Sequence, residues 1–255
     1  MKNRQTLIWK KHSIFEGFIN FYNQHGLLVT IEGVFTYLWR QVLYAAYPIY
    51  SKIYFDKAKK YIFQKRGYQY CLEKYNLSWR TERMVEIPIF QKLIRDNSKL
   101  HILEIGNVLK HYESSPKSRW AVVDKYEIYE GVINRDIFVY NPKEKFDLIV
   151  SISTIEHIGM EDGAISPNKA KQVINWVRNN LLNAHGRFII TIPIGYNKHL
   201  DKQIFKDEIL FAEKYYMTRL SKLEWVQTSE DKVSHSEYGR PYTGANALFI
   251  GIIRK

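Results

Sequence analysis

The rhythm of apolar and polar positions changes near residue 100. Upstream, Leu38, Val42, Ala45, Ile49 and Ile53 recur at three- and four-residue steps, which predicts a helix with one apolar stripe. Pro48 falls inside that stripe and predicts a kink or a division in two. Between this helix and residue 100, the stretch YNLSWRTERMVEIPIF predicts a second helix, capped by Ser78 and ending before Pro88. Downstream, short runs rich in Ile, Leu and Val take over. LHILEIG, RWAVVDKY, GVINRDIFVY, KFDLIVSIS and RFIITIPIG read as five strands, and NKAKQVINWVRNNLLNAHG as an amphipathic helix with Gly186 as its C-cap. KDEILFAEKYYMTRL reads as a further helix, and LEWVQT with NALFIGIIRK as a closing strand pair.

The early strands lack alternation between apolar and polar residues, so both of their faces are expected to be buried. That predicts an α/β doubly wound, mostly parallel sheet of seven strands with an antiparallel C-terminal strand, preceded by a helical basic extension. The expected boundary places residues 1–72 in the extension and 73–255 in the α/β domain.

Charge sharpens this division. Residues 1–99 hold seventeen Lys and Arg against seven Asp and Glu, whereas the remainder is nearly balanced within a chain of net charge +12. The asymmetry indicates a surface for an anionic partner, or simply a well-solvated face. Around the stripe lie Phe35, Tyr37, Trp39, Tyr44, Tyr47, Tyr50, Tyr54 and Phe55, followed by Lys52, Lys57, Lys59, Lys60, Lys65 and Arg66. Aromatic rings beside lysines suit an interfacial helix at an anionic membrane, and a stripe packed on the main domain suits the same pattern. A single cysteine, Cys71, fits a reducing compartment. No apolar h-region follows the first basic residues and no apolar run is long enough to span a bilayer. The expected location is therefore cytoplasmic, with peripheral membrane association as an option.

The candidate chemistry lies where the strands end, because open α/β sheets bind ligands beyond their carboxyl ends. Glu104 and Gly106 close the first strand, Asp124 the second, Asp136 follows the third, and Ser151, Ser153, Glu156 and His157 follow the fourth. A carboxylate can accept both hydroxyls of a ribose, and Asp124 stands twenty residues past Glu104. The G-x-G-x-x-G loop that cradles a pyrophosphate is missing, which counts against a dinucleotide more than against a phosphate-free nucleoside. Glu156 and His157 are candidate catalytic residues: an imidazole can take the proton of a hydroxyl acceptor, and Glu156 can orient it. Asp162 lies nearby, but the spacing of His, Cys and acids predicts no metal. In the segment before the first strand, either Trp79 or Arg83 touches a ligand, or the helix packs through Met84 and Ile87 with Arg80 and Arg83 paired to nearby acids.

These landmarks, ILEIGN, VVDKY, RDIF, FDLIVSISTIEHIG and LLNAHGRFIITIPIG, together resemble the class I S-adenosylmethionine-dependent methyltransferase superfamily over about two-fifths of the chain. The resemblance implies S-adenosylmethionine as cofactor. It implies Glu104, Ile105, Gly106 and Asn107 along the methionine part and Asp124 with Lys125 at the ribose. Asp136 and Ile137 would border the adenine, with Ser151, Ser153 and Thr154 beneath the methyl group. The acceptor expected is a hydroxyl of a sugar, a glycan or another small molecule, lipid-linked forms included. An RNA acceptor is the alternative, weakened because SISTIEH replaces the Asn/Asp-Pro-Pro-aromatic signature of base-methylating enzymes. An inactive methyltransferase-like scaffold at a membrane surface is the third reading.

Overall fold

A computed structural model describes residues 14–54, 60–112, 119–160 and 165–255, and their side chains from residue 31 onward except those of Glu32 and Tyr54. Phe55, Lys57, Lys59 and Asp162, named above, lie outside the described residues. The chain divides into two compact units. Described residues 14–54 and 72–77 belong to the first, and 60–71 and 78–255 to the second.

The first unit is built on one long helix, α1 (Ile14–Tyr54), which passes through Pro48 without a break. Its apolar stripe is not its buried side. Leu38, Val42, Ile49 and Ile53 are exposed, while Leu43 is buried and Tyr44 and Tyr47 are half-buried. Tyr47 donates its hydroxyl to the Leu72 carbonyl at 2.9 Å and Lys74 sits 5.6 Å over the Tyr44 ring. Within this unit the stripe is therefore not the covered face. Its covered face carries tyrosines, whose rings pack while their hydroxyls find partners.

The second unit opens with a small hairpin, β1 (Tyr61–Phe63) and β2 (Arg66–Tyr68), and continues into α2 (Arg83–Asp96). The expected helix from Ser78 to Pro88 is corrected here. Residues Tyr75–Arg80 form a tight turn with left-handed Asn76 and Leu77, and α2 begins at Arg83 and runs straight through Pro88. Proline in a helix leaves the carbonyl four residues back without its donor. That carbonyl, on Met84, accepts the Cys71 amide at 2.9 Å instead, and the next one, on Val85, accepts the Tyr61 hydroxyl at 2.7 Å. The sequence upstream thus supplies what Pro88 removes.

The main sheet contains β3 (His101–Ile105), β4 (Arg119–Asp124), β5 (Ile133–Asn134), β6 (Phe146–Ile152), β7 (Leu182–Pro193), β8 (Glu213–Ser221), β9 (Glu224–Thr228) and β10 (Ala247–Arg254). Their order is β5-β4-β3-β6-β7-β10-β8-β9, parallel from β5 to β7, with β10 antiparallel to both of its neighbours. This is the expected doubly wound sheet with its antiparallel C-terminal strand, widened by an eighth edge strand, β9. The central strands are Ile, Leu and Val on both faces: Ile102, Leu103, Leu148, Ile149, Val150 and Ile190 have no exposed surface. Helices α3 (Lys169–Asn180) and α4 (Lys198–Phe205) complete the regular elements.

Three expectations change. The segment KDEILFAEKYYMTRL is not a helix, because residues 213–218 pair with β10; its aromatic and β-branched residues suit a strand once that partner exists. LEWVQT and NALFIGIIRK do not pair with each other, since β8 lies between them. Gly186 does not cap α3. The helix ends at Asn180 so that Leu182 can pair with Phe146, and residues 183–186 bulge out before Arg187 pairs with Leu148. His185 is left-handed in that bulge and a Cβ on Gly186 would lie 2.8 Å from Leu182.

Candidate functional site

At the carboxyl end of β3 the chain turns at Gly106, whose φ of +86° excludes most side chains. Space excludes them too: the position of a Cβ is filled by Thr154, with Oγ1 at 2.3 Å. Asn107 follows, buried. Glu104, just before the turn, is fully buried, and its Oε1 accepts the amides of Val108 and Leu109 at 2.8 and 2.7 Å. Its second oxygen has no hydrogen-bond partner, nor has Oδ1 of Asn107. Burial pushes the Glu104 carboxyl up to about 8.

Asp124, the last residue of β4, is tied to the loops on both sides. Oδ1 accepts the amides of Tyr126 and Glu127 at 2.8 Å each, and Oδ2 the amide of Asn107 at 3.2 Å. Lys125 pairs with Asp136 at 3.2 Å, and Asp136 also caps the turn that follows by accepting the Phe138 amide at 3.0 Å. Ile137 is buried in the hydrophobic core. Beside Asn107, His111 and Glu127 form a mostly buried pair at 2.9 Å, which the sequence did not signal.

The end of β6 is more tightly built. Ser151 donates to the Ile105 carbonyl at 3.0 Å, binding β6 to β3. Ser153 adopts a left-handed φ of +38° and donates its hydroxyl to Glu86 Oε1 at 2.5 Å. Glu86 in turn takes Arg83 at 2.6 Å, and Arg83 also donates to the carbonyls of Ile152 and Ser153. Burial raises the Glu86 carboxyl against the pull of Arg83. Arg83 is thus paired with a nearby acid in a buried network joining α2 to the strand end, and Met84 and Ile87 are buried beside it, as the second of the two expectations had it.

The next turn holds Glu156 and His157. Glu156 is buried, with one carboxylate oxygen without a hydrogen-bond partner, and burial pushes it up to about 8. His157 is about a third exposed; its Nε2 lies 3.5 Å from Glu156 and its Nδ1 2.9 Å from the Tyr196 hydroxyl. Tyr196 follows β7 and was not singled out by the sequence. Its neighbours explain its placement. Asn197 caps α4 by accepting the Leu200 amide and donates to the Glu156 carbonyl at 2.9 Å. Asp201, pushed up to about 6 by burial, accepts the Gly195 amide at 2.9 Å. Gly195 has a φ of +89° and lets the backbone at Ser236 and Tyr238 approach to where a Cβ would stand, 2.6 Å away. Tyr238 then meets Tyr196 edge to face, centroids 5.1 Å apart. Glu82 holds the same loop by accepting the Ala245 amide at 2.8 Å. The glycine and polar run Gly-Tyr-Asn after the fifth parallel strand was the available signal for this part of the site.

The structure thus places every proposed residue at the carboxyl ends of β3 to β6 or in the turns that follow. Around Gly106 it gathers carboxylates and unpartnered acceptors, with no glycine-rich cradle of amides. Around His157 it gathers a histidine, a raised carboxyl and a tyrosine hydroxyl, a set able to accept and hold a proton.

No family model matches this chain, and no curated protein matches it. Among solved structures, it is similar to the N-methyltransferase NodS from Bradyrhizobium japonicum WM9 in complex with S-adenosyl-L-homocysteine, at 12% identity and a TM-score of 0.42, over 68% of this chain and 91% of that one. It is similar to TehB from Haemophilus influenzae at 15% identity and a TM-score of 0.42, over 72% and 65% of the two chains. It is similar to an rRNA methylase from Escherichia coli at 15% identity and a TM-score of 0.41, over 98% and 89%.

Proposed function

We propose that this protein is an S-adenosylmethionine-dependent methyltransferase that acts on a hydroxyl of a sugar, a glycan or another small molecule. The observation that carries the cofactor assignment is the turn at Gly106, where Glu104 and Asn107 keep buried acceptors without partners. Asp124 ends β4, and Glu127 and Asp136 stand in the turns that follow β4 and β5. A rim of carboxylates repels a pyrophosphate and favours a ligand that brings positive charge and hydrogen-bond donors. S-adenosylmethionine fits that requirement, with an ammonium, a sulfonium and a ribose diol, and no phosphate.

In this reading Glu104, Ile105, Gly106 and Asn107 hold the methionine end. Asp124 and Lys125 take the ribose, Asp136 and Ile137 border the base, and Ser151, Ser153 and Thr154 support the reacting centre. A carboxylate has about four acceptor positions, and Asp124 uses three for backbone amides. It therefore meets a ligand hydroxyl while still fixing the loop at Asn107. When bound, the cofactor supplies a methyl group activated by positively charged sulfur.

The acceptor assignment is supported by His157. With the proton on Nδ1 donated to Tyr196, Nε2 keeps a lone pair and takes the hydroxyl proton as the acceptor oxygen is methylated. Glu156, 3.5 Å from Nε2, orients the ring. A small-molecule or glycan acceptor is preferred to RNA because β6 runs into its following turn as Ser-Ile-Ser-Thr-Ile-Glu-His, which lacks the proline-aromatic grip on a flipped base.

Two measurements test this. Thermal shifts with S-adenosylmethionine, S-adenosylhomocysteine and NAD in parallel should rise with the first two only, since a ligand selective for the native state stabilises it. Transfer of labelled methyl to glycan acceptors, with RNA alongside, should label the glycans. A shift with NAD alone overturns the cofactor, and label in RNA alone overturns the acceptor.

A further inference from the structure

Among the described residues of its own unit, helix α1 leaves the face from Ile31 to Ile53 uncovered. Ile31, Val34, Phe35, Leu38, Val42, Ile49 and Ile53 are exposed by 38% to 69%, and with Ala45 they recur at helical steps. Over this stretch the stripe runs about 33 Å at 1.5 Å per residue. Contiguous apolar surface of that extent marks an interaction site. No helix among the described residues is long and apolar enough to cross a membrane, so a stripe of this kind lies against its partner.

The charge of the sequence that carries the stripe selects the partner. Residues 1–66 carry eleven Lys and Arg against three Asp and Glu, a net +8. Glu32 is the one acid between residues 31 and 54, and its position on the helix falls off the stripe. Lys52 is exposed at the edge of the face, and Tyr37 and Trp39 are exposed along its two sides. Aromatic rings at the margins and the Lys52 ammonium at the edge match the headgroup layer of an anionic bilayer. A second copy would instead bring two +8 segments together and pay for it in like-charge repulsion.

We infer that the α1 face from Ile31 to Ile53 docks the protein on an anionic membrane surface, lying in the headgroup plane with its apolar stripe inserted. This surface is separate from the proposed methyl-transfer chemistry, and its test reads binding alone.

The full chain is mixed with vesicles of phosphatidylcholine, or of phosphatidylcholine with phosphatidylglycerol, and sedimented at several salt concentrations. The expected result is binding to the mixed vesicles that weakens as salt rises. Val42→Asp with Ile49→Asp should reduce it about tenfold or more, since both the inserted area and the charge balance suffer. Lys52→Glu should weaken binding and flatten its salt dependence. Because these positions are exposed, circular dichroism melts should match wild type, which separates lost docking from lost folding. Binding to neither vesicle, or equally to both, overturns the inference. So does a dimer by light scattering that the Val42/Ile49 variant converts to monomer, which would make the face a contact between copies.

Discussion

Thr154 occupies the space that any side chain at Gly106 would need, its Oγ1 standing 2.3 Å from the position of a Cβ. The turn after β3 and the turn after β6 are thereby locked together, and each constrains the other's sequence. Gly106→Ala meets both this clash and a left-handed backbone, where a Cβ costs roughly 1–2 kcal/mol. It should lower Tm by several degrees and abolish any shift with S-adenosylmethionine. Adding Thr154→Gly removes the clash but not the backbone cost, so the double variant should recover part of the melting temperature in the same scan.

Asp124 serves the loops and, in the proposed function, the cofactor. Asp124→Ala strands three backbone amides, each lost hydrogen bond costing about 1 kcal/mol. Its Tm should fall, and S-adenosylmethionine should no longer raise it. Asp124→Asn keeps one acceptor oxygen, so its Tm should lie between the two while its ligand shift stays small. An Asp124→Ala protein that responds to the cofactor like wild type would remove Asp124 from the site.

The two buried carboxyls with unpartnered oxygens set a pH dependence. Folding raises Glu104 and Glu156 from 4.5 to about 8 each. The native state keeps these protons where the unfolded chain has released them. Their contribution is fully present below about pH 4.5 and is lost as pH rises to about 8. Glu156→Gln, which stays neutral, should therefore raise Tm relative to wild type more at pH 8.5 than at pH 5.5. Denaturation series at the two pH values check the sign.

The same shift predicts proton release on ligand binding. A cationic ligand beside Glu104 favours the ionised carboxylate and lowers its pKa. Affinity for S-adenosylmethionine should rise as pH increases toward 8 and level off above it. Titration calorimetry at pH 7 in two buffers of different ionisation heat reads the released proton directly.

His157→Ala should cost about 10²- to 10⁴-fold in methyl-transfer rate, the usual worth of a positioned base. Tyr196→Phe leaves the imidazole but frees its Nδ1 side, so a smaller loss is expected. If Tyr196 acts by positioning, the loss should appear in kcat and in the pH–rate profile rather than in KM. Rate profiles of both variants separate these outcomes.

The parallel core and the strand-end acids were legible because burial on both faces leaves an unmistakable run of Ile, Leu and Val, and because ligand-side residues follow those runs directly. What escaped were features decided by distant partners. Residues 213–221 carry a pattern open to helix or strand, and β10, whose residues pair with them at separations of 29 to 39, settles it. Pro88 reads as a helix end until the Cys71 amide takes over the Met84 carbonyl. Tyr196 and Tyr238 reach the site only because Gly195 admits the backbone of a later loop. The apolar stripe of α1 was visible, but periodicity alone does not tell an inward face from an outward one.

The position of β10 sets an order of events. It lies between β7 and β8 and hydrogen-bonds to both. While the chain is being synthesised, those two strands must wait with open edges until residues 247–254 arrive. Long-range pairing of this kind is slow, and unpaired strand edges are where nascent chains stick to one another. Of the eight strands of this sheet, the latest in sequence is thus the one through which β8 and β9 join the parallel strands.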